Sequence, residues 1–368
     1  MMAPAFSSTR QAAAFAALLL VLIALPAVLG KSLLPPREQL YSEMPWRYGP
    51  FSYIHREIYE EKGDIDVAFI GSSHIWYAID TPYVQDALTQ KLGRKAEVRT
   101  IAWAWLGFDA LYFITQDLLQ HRKVRMIVFG DEYRGDDVAH MGAKYWFRYG
   151  DNKEALLGLP LRLRASYYYA SILGMPQTLL SYLRPNLPEE FVYPEDDHWQ
   201  TFYHTANPAG FQGAMAAEAN FSGEPFSYFV PRGKAVPADV SVYSPEDSGK
   251  FDFSGAPVSQ WQMQFVRKFT ALAREYNVKL VLLNVLPNRT DLRVDDPRIE
   301  SHQYWPDTTQ SGVVIMGIPA SELFSGLDHR EVGNLFSSPG HFNKSGRDYF
   351  TRIITPTLLR IYEMQTPH

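Results

Sequence analysis

In the stretch "DVAFIGSSHIWYAID", residues 66–80, an apolar run breaks at Gly71 into two hydroxyls and an imidazole: Ser72, Ser73 and His74. A serine hydroxyl becomes a good nucleophile only when a base takes its proton. In an open α/β sheet the reacting groups collect at the carboxyl ends of the strands. A serine at such a corner, with Gly71 allowing a sharp turn, therefore reads as a candidate nucleophile. The competing reading is a turn whose hydroxyls cap the next helix. His74 is adjacent to the serine and reads as a packing residue, so the base must come from elsewhere. His341 is the candidate: "SSPGHFNKSG" sits in the loop before the last helix, where an open sheet returns it to the same edge.

Positioning these groups requires a particular order of elements. "DVAFIG" (66–71), "AEVRTIA" (96–102) and "VRMIVFG" (124–130) read as strands. Between them lie helices at 81–93, with Thr81 as N-cap, Pro82 in the first turn and Gly93 past the end, and at 108–121. This alternation implies a parallel sheet with right-handed crossovers. The rhythm is lost over 135–255, an aromatic-rich stretch read as an insertion covering one face of the sheet. It resumes with a helix at 258–277, a strand at 278–287, a short edge strand at 312–319 and a closing helix that starts near Ser345. The expected fold is a three-layer α/β/α domain on a five-stranded, flavodoxin-like parallel sheet. Its two parts, 61–134 and 256–368, flank the insertion; a proline-rich linker over 31–60 precedes them, and a membrane segment over 1–30 precedes the linker.

Composition narrows the function. The chain has 368 residues, 35 Lys and Arg against 40 Asp and Glu, and a formal charge of −5. No basic stripe interleaved with aromatics is present, which argues against a nucleic-acid partner. The sequence contains no cysteine, so disulfides, thiolate metal sites and a cysteine nucleophile are excluded. No histidine spacing marks a metal site, and no cofactor is implied. "PEDDHWQ" offers one histidine beside two carboxylates, but adjacent residues seldom converge on one ion.

After Arg10, residues Ala12 to Gly30 carry no charge, long enough to span a bilayer as a helix. A cleaved signal peptide and an uncleaved anchor both fit an N-terminal apolar segment. The run exceeds the usual h-region, and "PAVLGKS" is a poor cleavage site, which favours the anchor. Arg10 on the short side keeps that end cytoplasmic. The expectation is a single-pass protein of the cytoplasmic (inner) membrane with its catalytic domain outside, in the periplasm.

"FIGSSH" after the first strand, "AWLGFDALYFITQDLL" after the second, "VFGDEY" after the third and "GHFNKSG" before the final helix together resemble the blocks of the SGNH (GDSL-like) hydrolase superfamily. The closest pattern is that of membrane-anchored extracytoplasmic members, such as the D-alanyl transfer protein of teichoic acids and the peptidoglycan and polysaccharide O-acetyltransferases. The resemblance implies Ser73 as nucleophile and His341 as base, with the backbone N–H groups of Gly107 and Ser73 as the oxyanion hole. It implies an acyl ester or a glycan as substrate and, by analogy, a multi-span membrane acyltransferase as partner. Two departures stand out. The superfamily places Asp three residues before its histidine, to orient the imidazole; here Ser338 stands there, which leaves either a Ser-His dyad supported by a backbone carbonyl or an orienting acid from elsewhere, for example Asp328, Asp131 or Glu132. The third block normally supplies an Asn, and Glu132 occupies its place. The Asp-x-His-Trp string at Asp196, His198 and Trp199 resembles the dyad of alginate O-acetylation proteins, but there the dyad precedes the serine. The sequence thus supports a serine esterase or O-acyltransferase and, as an alternative, a catalytically weakened SGNH-fold protein that binds glycan or scaffolds a membrane complex.

Overall fold

Strand β1 (Ile65–Ser72) is buried along its whole length, as a near-continuous apolar run in the interior of a parallel sheet requires. The computed structural model describes residues 6–33, 36–44, 49–130, 139–140, 142, 146, 159–165, 168–169, 242–243, 259–283, 285, 313–316, 318, 323–338 and 341–364. The flanking strands are β2 (Val98–Trp103) and β3 (Val124–Phe129), followed by β4 (Val242–Tyr243), β5 (Lys279–Leu283) and β6 (Val313–Met316). They form one sheet in the order β2-β1-β3-β5-β6-β4. All neighbours pair in parallel except the short β4, which runs antiparallel to β6 at the edge. The five parallel strands, taken by themselves, have the expected flavodoxin-like order, with β4 as an addition.

Helices cover both faces. On one lie α2 (Arg37–Glu43), α3 (Phe51–His55, continuing as a π turn through Glu60), α6 (Phe108–His121) and α7 (Gln260–Glu275). Their buried side chains, among them Tyr41, Phe51, Phe113 and Phe265, form one core layer. The other face carries α4 (Ser73–Ala78), α5 (Thr81–Leu92), α8 (His329–Gly333) and α9 (Lys344–Glu363). Val84, Leu88, Phe342, Phe350 and Ile354 belong to its core layer. Burial of two apolar sheet faces supplies most of the drive to fold.

The structure differs from the sequence reading at three points. The strand runs through Gly71, paired with Ala102, and turns one residue later at Ser72. The N-cap of α5 is Asp80, whose carboxylate accepts from Tyr83 N at 3.2 Å; Thr81 instead places its hydroxyl 2.6 Å from that of Thr100 on β2. Gly93 does close α5, in the left-handed region at φ 65°. Within the expected linker, α2 and α3 pack into the core, with Tyr41 and Ile54 fully buried. Asp117 on α6 accepts from the Tyr41 hydroxyl at 2.5 Å and pairs with Arg37 Nε at 3.1 Å, which ties α2 to α6. Burial raises the Asp117 pKa against the opposing pull of Arg37. Most of the expected insertion lies outside the described residues.

Helix α1 (Thr9–Leu33) forms over the expected apolar segment and exposes Phe15 and Leu18 to Leu22. Among the described residues no helix is long and apolar enough to cross a membrane, the described side chains of α1 ending at Ala24.

The far end of α9 is anchored beneath the sheet. Lys279, at the start of β5 and 3% exposed, donates its ammonium to the carbonyls of Ile361 at 2.6 Å, Tyr362 at 3.1 Å and Met364. Three donors meet three acceptors at the negative end of the helix dipole. The Tyr362 hydroxyl adds a 2.7 Å bond to Asp66 on β1.

Candidate active site

Ser72 takes the capping role that the sequence leaves open between the two serines. Ser72 is buried and extended, and its hydroxyl accepts from the backbone N–H of His74 at 3.4 Å, capping α4. Ser73, the first residue of the helix, projects its Oγ to 2.9 Å from Nε2 of His341. The two expected catalytic residues, 268 positions apart, are therefore in hydrogen-bond contact.

His341 reaches that point through a short hairpin of β7 (Phe336–Ser338) and β8 (His341–Phe342), in which Ser338 pairs with His341. The motif that follows fixes the hairpin to α9. Asn343 caps the helix by accepting from Gly346 N at 3.0 Å, and its amide nitrogen donates to Asn334 O at 2.7 Å. At Gly346 a Cβ would fall 2.0 Å from the Leu335 carbonyl oxygen and 2.6 Å from the Phe342 ring, so only glycine admits this approach. Phe342 stacks between Phe336, at a centroid distance of 4.4 Å, and Phe350, at 5.3 Å. The loop that carries His341 thus rests on a packed aromatic column.

The imidazole is held from the serine's own helix. His74 meets the His341 ring edge-on at 5.3 Å between centroids, and Tyr77 lies against it at 4.7 Å. His74 and Tyr77 are three residues apart and so share a face of α4. Burial lowers the His341 pKa to about 3, with a further contribution from His74; burial alone lowers that of His74 to about 4. Both rings are neutral at pH 7, and with its proton on Nδ1 a neutral His341 has Nε2 available to accept from the Ser73 hydroxyl.

The β2–α6 loop brings Gly107 to the same edge, since Trp103 at the end of β2 pairs with Ser72. At Gly107 a Cβ would come within 2.6 Å of Asp109 Oδ1 and 3.2 Å of His140 Cβ. Asp109, wholly buried, accepts from His140 N at 2.7 Å, Ala110 N at 3.0 Å and Trp261 Nε1 at 3.2 Å. His140 takes the Gly142 N–H on Nδ1 at 3.0 Å, so its Nε2–H donates to Ala104 O, also at 3.0 Å. Gln262 accepts the Phe108 N–H at 2.8 Å. None of Asp109, His140, Trp261 and Gln262 stands out by spacing, because their partners come from α7 and from the stretch after β3.

Of the candidates for orienting acid, Asp328 is exposed and caps α8, accepting from Glu331 N at 2.8 Å. Asp131 and Glu132 lie outside the described residues, as do Asp196, Asp197, His198 and Trp199. Among the described residues no group of three or more His, Asp or Glu could hold a metal ion. An open depression of about 800 Å³, lined by Asp66, Arg94, Lys123, Arg125 and Tyr276, lies at the amino ends of the strands, away from Ser73. Comparison with known protein families finds none that matches the chain, and no curated protein matches it either.

Proposed function

We propose that the protein is an SGNH-like serine esterase or O-acyltransferase that acts on acyl groups of a cell-surface glycan. The observation that carries this reading is the 2.9 Å contact between Ser73 Oγ and His341 Nε2 at the carboxyl edge of a parallel sheet. Ser73 Oγ attacks the acyl carbonyl while its proton passes to His341 Nε2. The tetrahedral intermediate collapses as that proton moves to the leaving alcohol, and the acyl group stays on Ser73 as an ester. Water, or a second glycan hydroxyl, then attacks this ester; His341 takes the attacker's proton and returns it to Ser73 Oγ. In this reading the amides of Gly107 and Ser73 receive the developing oxyanion.

The N-terminal helix supports a membrane location. We place α1 in the bilayer, on the strength of its uncharged stretch from Ala12 to Gly30 and its exposed leucines, with the sheet domain on the extracytoplasmic side. A multi-span membrane protein that delivers the acyl group fits this arrangement.

Labelling of the full-length protein in detergent with a fluorophosphonate tests the reading. Wild type is expected to label at Ser73, and Ser73→Ala and His341→Ala to remove the label. A folded wild type that does not label would instead favour a glycan-binding or scaffolding protein on the same fold.

A further inference from the structure

Trp105 is an outlier twice over. It is one of two described non-glycine residues in the left-handed region, at φ 73°, a conformation that is uncommon for a bulky side chain and is retained where surrounding structure enforces it. It is also 56% exposed, whereas Trp76, Trp103, Trp146 and Trp261 are each 2% exposed or less.

The loop around it is built to hold that backbone. On one side Ala104 O receives the hydrogen bond from buried His140. From the other, Gly49 presses so close that a Cβ there would lie 2.8 Å from Trp103 Cα and 3.2 Å from Ala104 N. Gly107 closes the loop against Asp109. A Trp that is strained at its backbone, clamped before and after, and more than half exposed is not explained by packing.

Its position gives it a use. Trp103 pairs with Ser72, neighbouring strands lie about 5 Å apart, and two residues extend at most about 7 Å. The Trp105 backbone is therefore within about 12 Å of the residue preceding the nucleophile. A sugar ring joined to the reacting ester lies within such a span. An acyl chain would call for an enclosed apolar channel; an exposed indole offers a flat apolar face with a polar edge, which suits a pyranose ring presenting its C–H face.

The geometry points to Trp105 as the platform on which the sugar ring bearing the acyl group stacks, making it the residue that selects cyclic sugar esters over acyclic ones; this rests on the esterase reading above. The test compares kcat/KM for glucose pentaacetate, a pyranose with every hydroxyl esterified, with that for triacetin, an acyclic polyol ester. Full-length wild type is expected to prefer the pentaacetate, Trp105→Ala to lower the ratio of the two constants about tenfold, and Trp105→Phe to fall between. Equal ratios in wild type and Trp105→Ala, or no preference in wild type, overturn the assignment. A wild type that neither labels with fluorophosphonate nor hydrolyses either ester defeats the esterase reading itself, and the assignment with it.

Discussion

Lowering the pH separates a buried, neutral His341 from an ordinary surface histidine. With its pKa at about 3, about 99% of His341 is still neutral at pH 5; an unperturbed imidazole of pKa about 6.5 would be only about 3% neutral there. The rate at which fluorophosphonate labels Ser73 follows the neutral fraction of its base, so it is expected to stay nearly level between pH 7.5 and 5. An ordinary histidine would lower it about 30-fold. Stability moves differently. Both His74 and His341 have folded pKa values depressed below the unfolded one, so the unfolded chain takes up protons that the folded chain refuses. Their full contribution is present above about pH 6.5 and is lost as the pH falls toward the folded values, at up to about 2 kcal/mol per ring by pH 5. The assay therefore pairs labelling rate with circular dichroism and a urea midpoint at each pH. A labelling rate that drops tenfold or more by pH 5, while the dichroism remains native, would refute the argument that burial keeps this base neutral.

Four substitutions probe the supports of the site. Gly107→Ala drives a methyl toward Asp109 and His140; labelling should fall at least tenfold with a loss of about 1–3 kcal/mol in urea titration, and wild-type labelling would show that the loop tolerates the shift. Asp109→Ala leaves the His140 N–H and Trp261 Nε1–H buried without this acceptor, and thermal melting should report a loss of about 2–4 kcal/mol. Gly346→Ala sets a methyl against the Leu335 carbonyl, so a loss above about 3 kcal/mol and a displaced His341 are expected, read as reduced expression of folded protein and absent labelling. Lys279→Met strips the three carbonyls at the end of α9 of their ammonium; a melting temperature lower by several degrees, from a loss of about 1–3 kcal/mol, is expected, and an unchanged one would mean that solvent replaces the lysine.

Much of the sheet was readable because parallel strands are buried on both faces and so write themselves as near-continuous apolar runs; β1, β2, β3 and β5 fall close to where the runs lie. The Ser73–His341 pair was readable only from the order of motifs, since no spacing rule joins residues 268 apart. Local polar competition was harder to see. Asp80 and Thr81 are both good caps, and Thr81 loses the role because its hydroxyl finds Thr100 across the sheet. Prolines at 31–60 hid the apolar face formed by Leu40, Tyr41, Phe51 and Ile54. His140 and Gln262 act through long-range hydrogen bonds that leave no periodic trace. The pairing of His74 and Tyr77 on one helical face was available from their spacing of three residues.

The distance in sequence between the serine and its base also sets when the site can exist. During synthesis the serine emerges with the first strand, yet the imidazole that would deprotonate it follows 268 residues later. That imidazole is held in place by Asn343 and Gly346 at the start of α9, the last described helix. On the proposed mechanism, until α9 has docked, with its far end against Lys279, the Ser73 hydroxyl lacks its base. In the esterase reading, a chain that stalls or is clipped ahead of this helix leaves behind a sheet whose serine has no base, so the docking of α9 is itself the activating step.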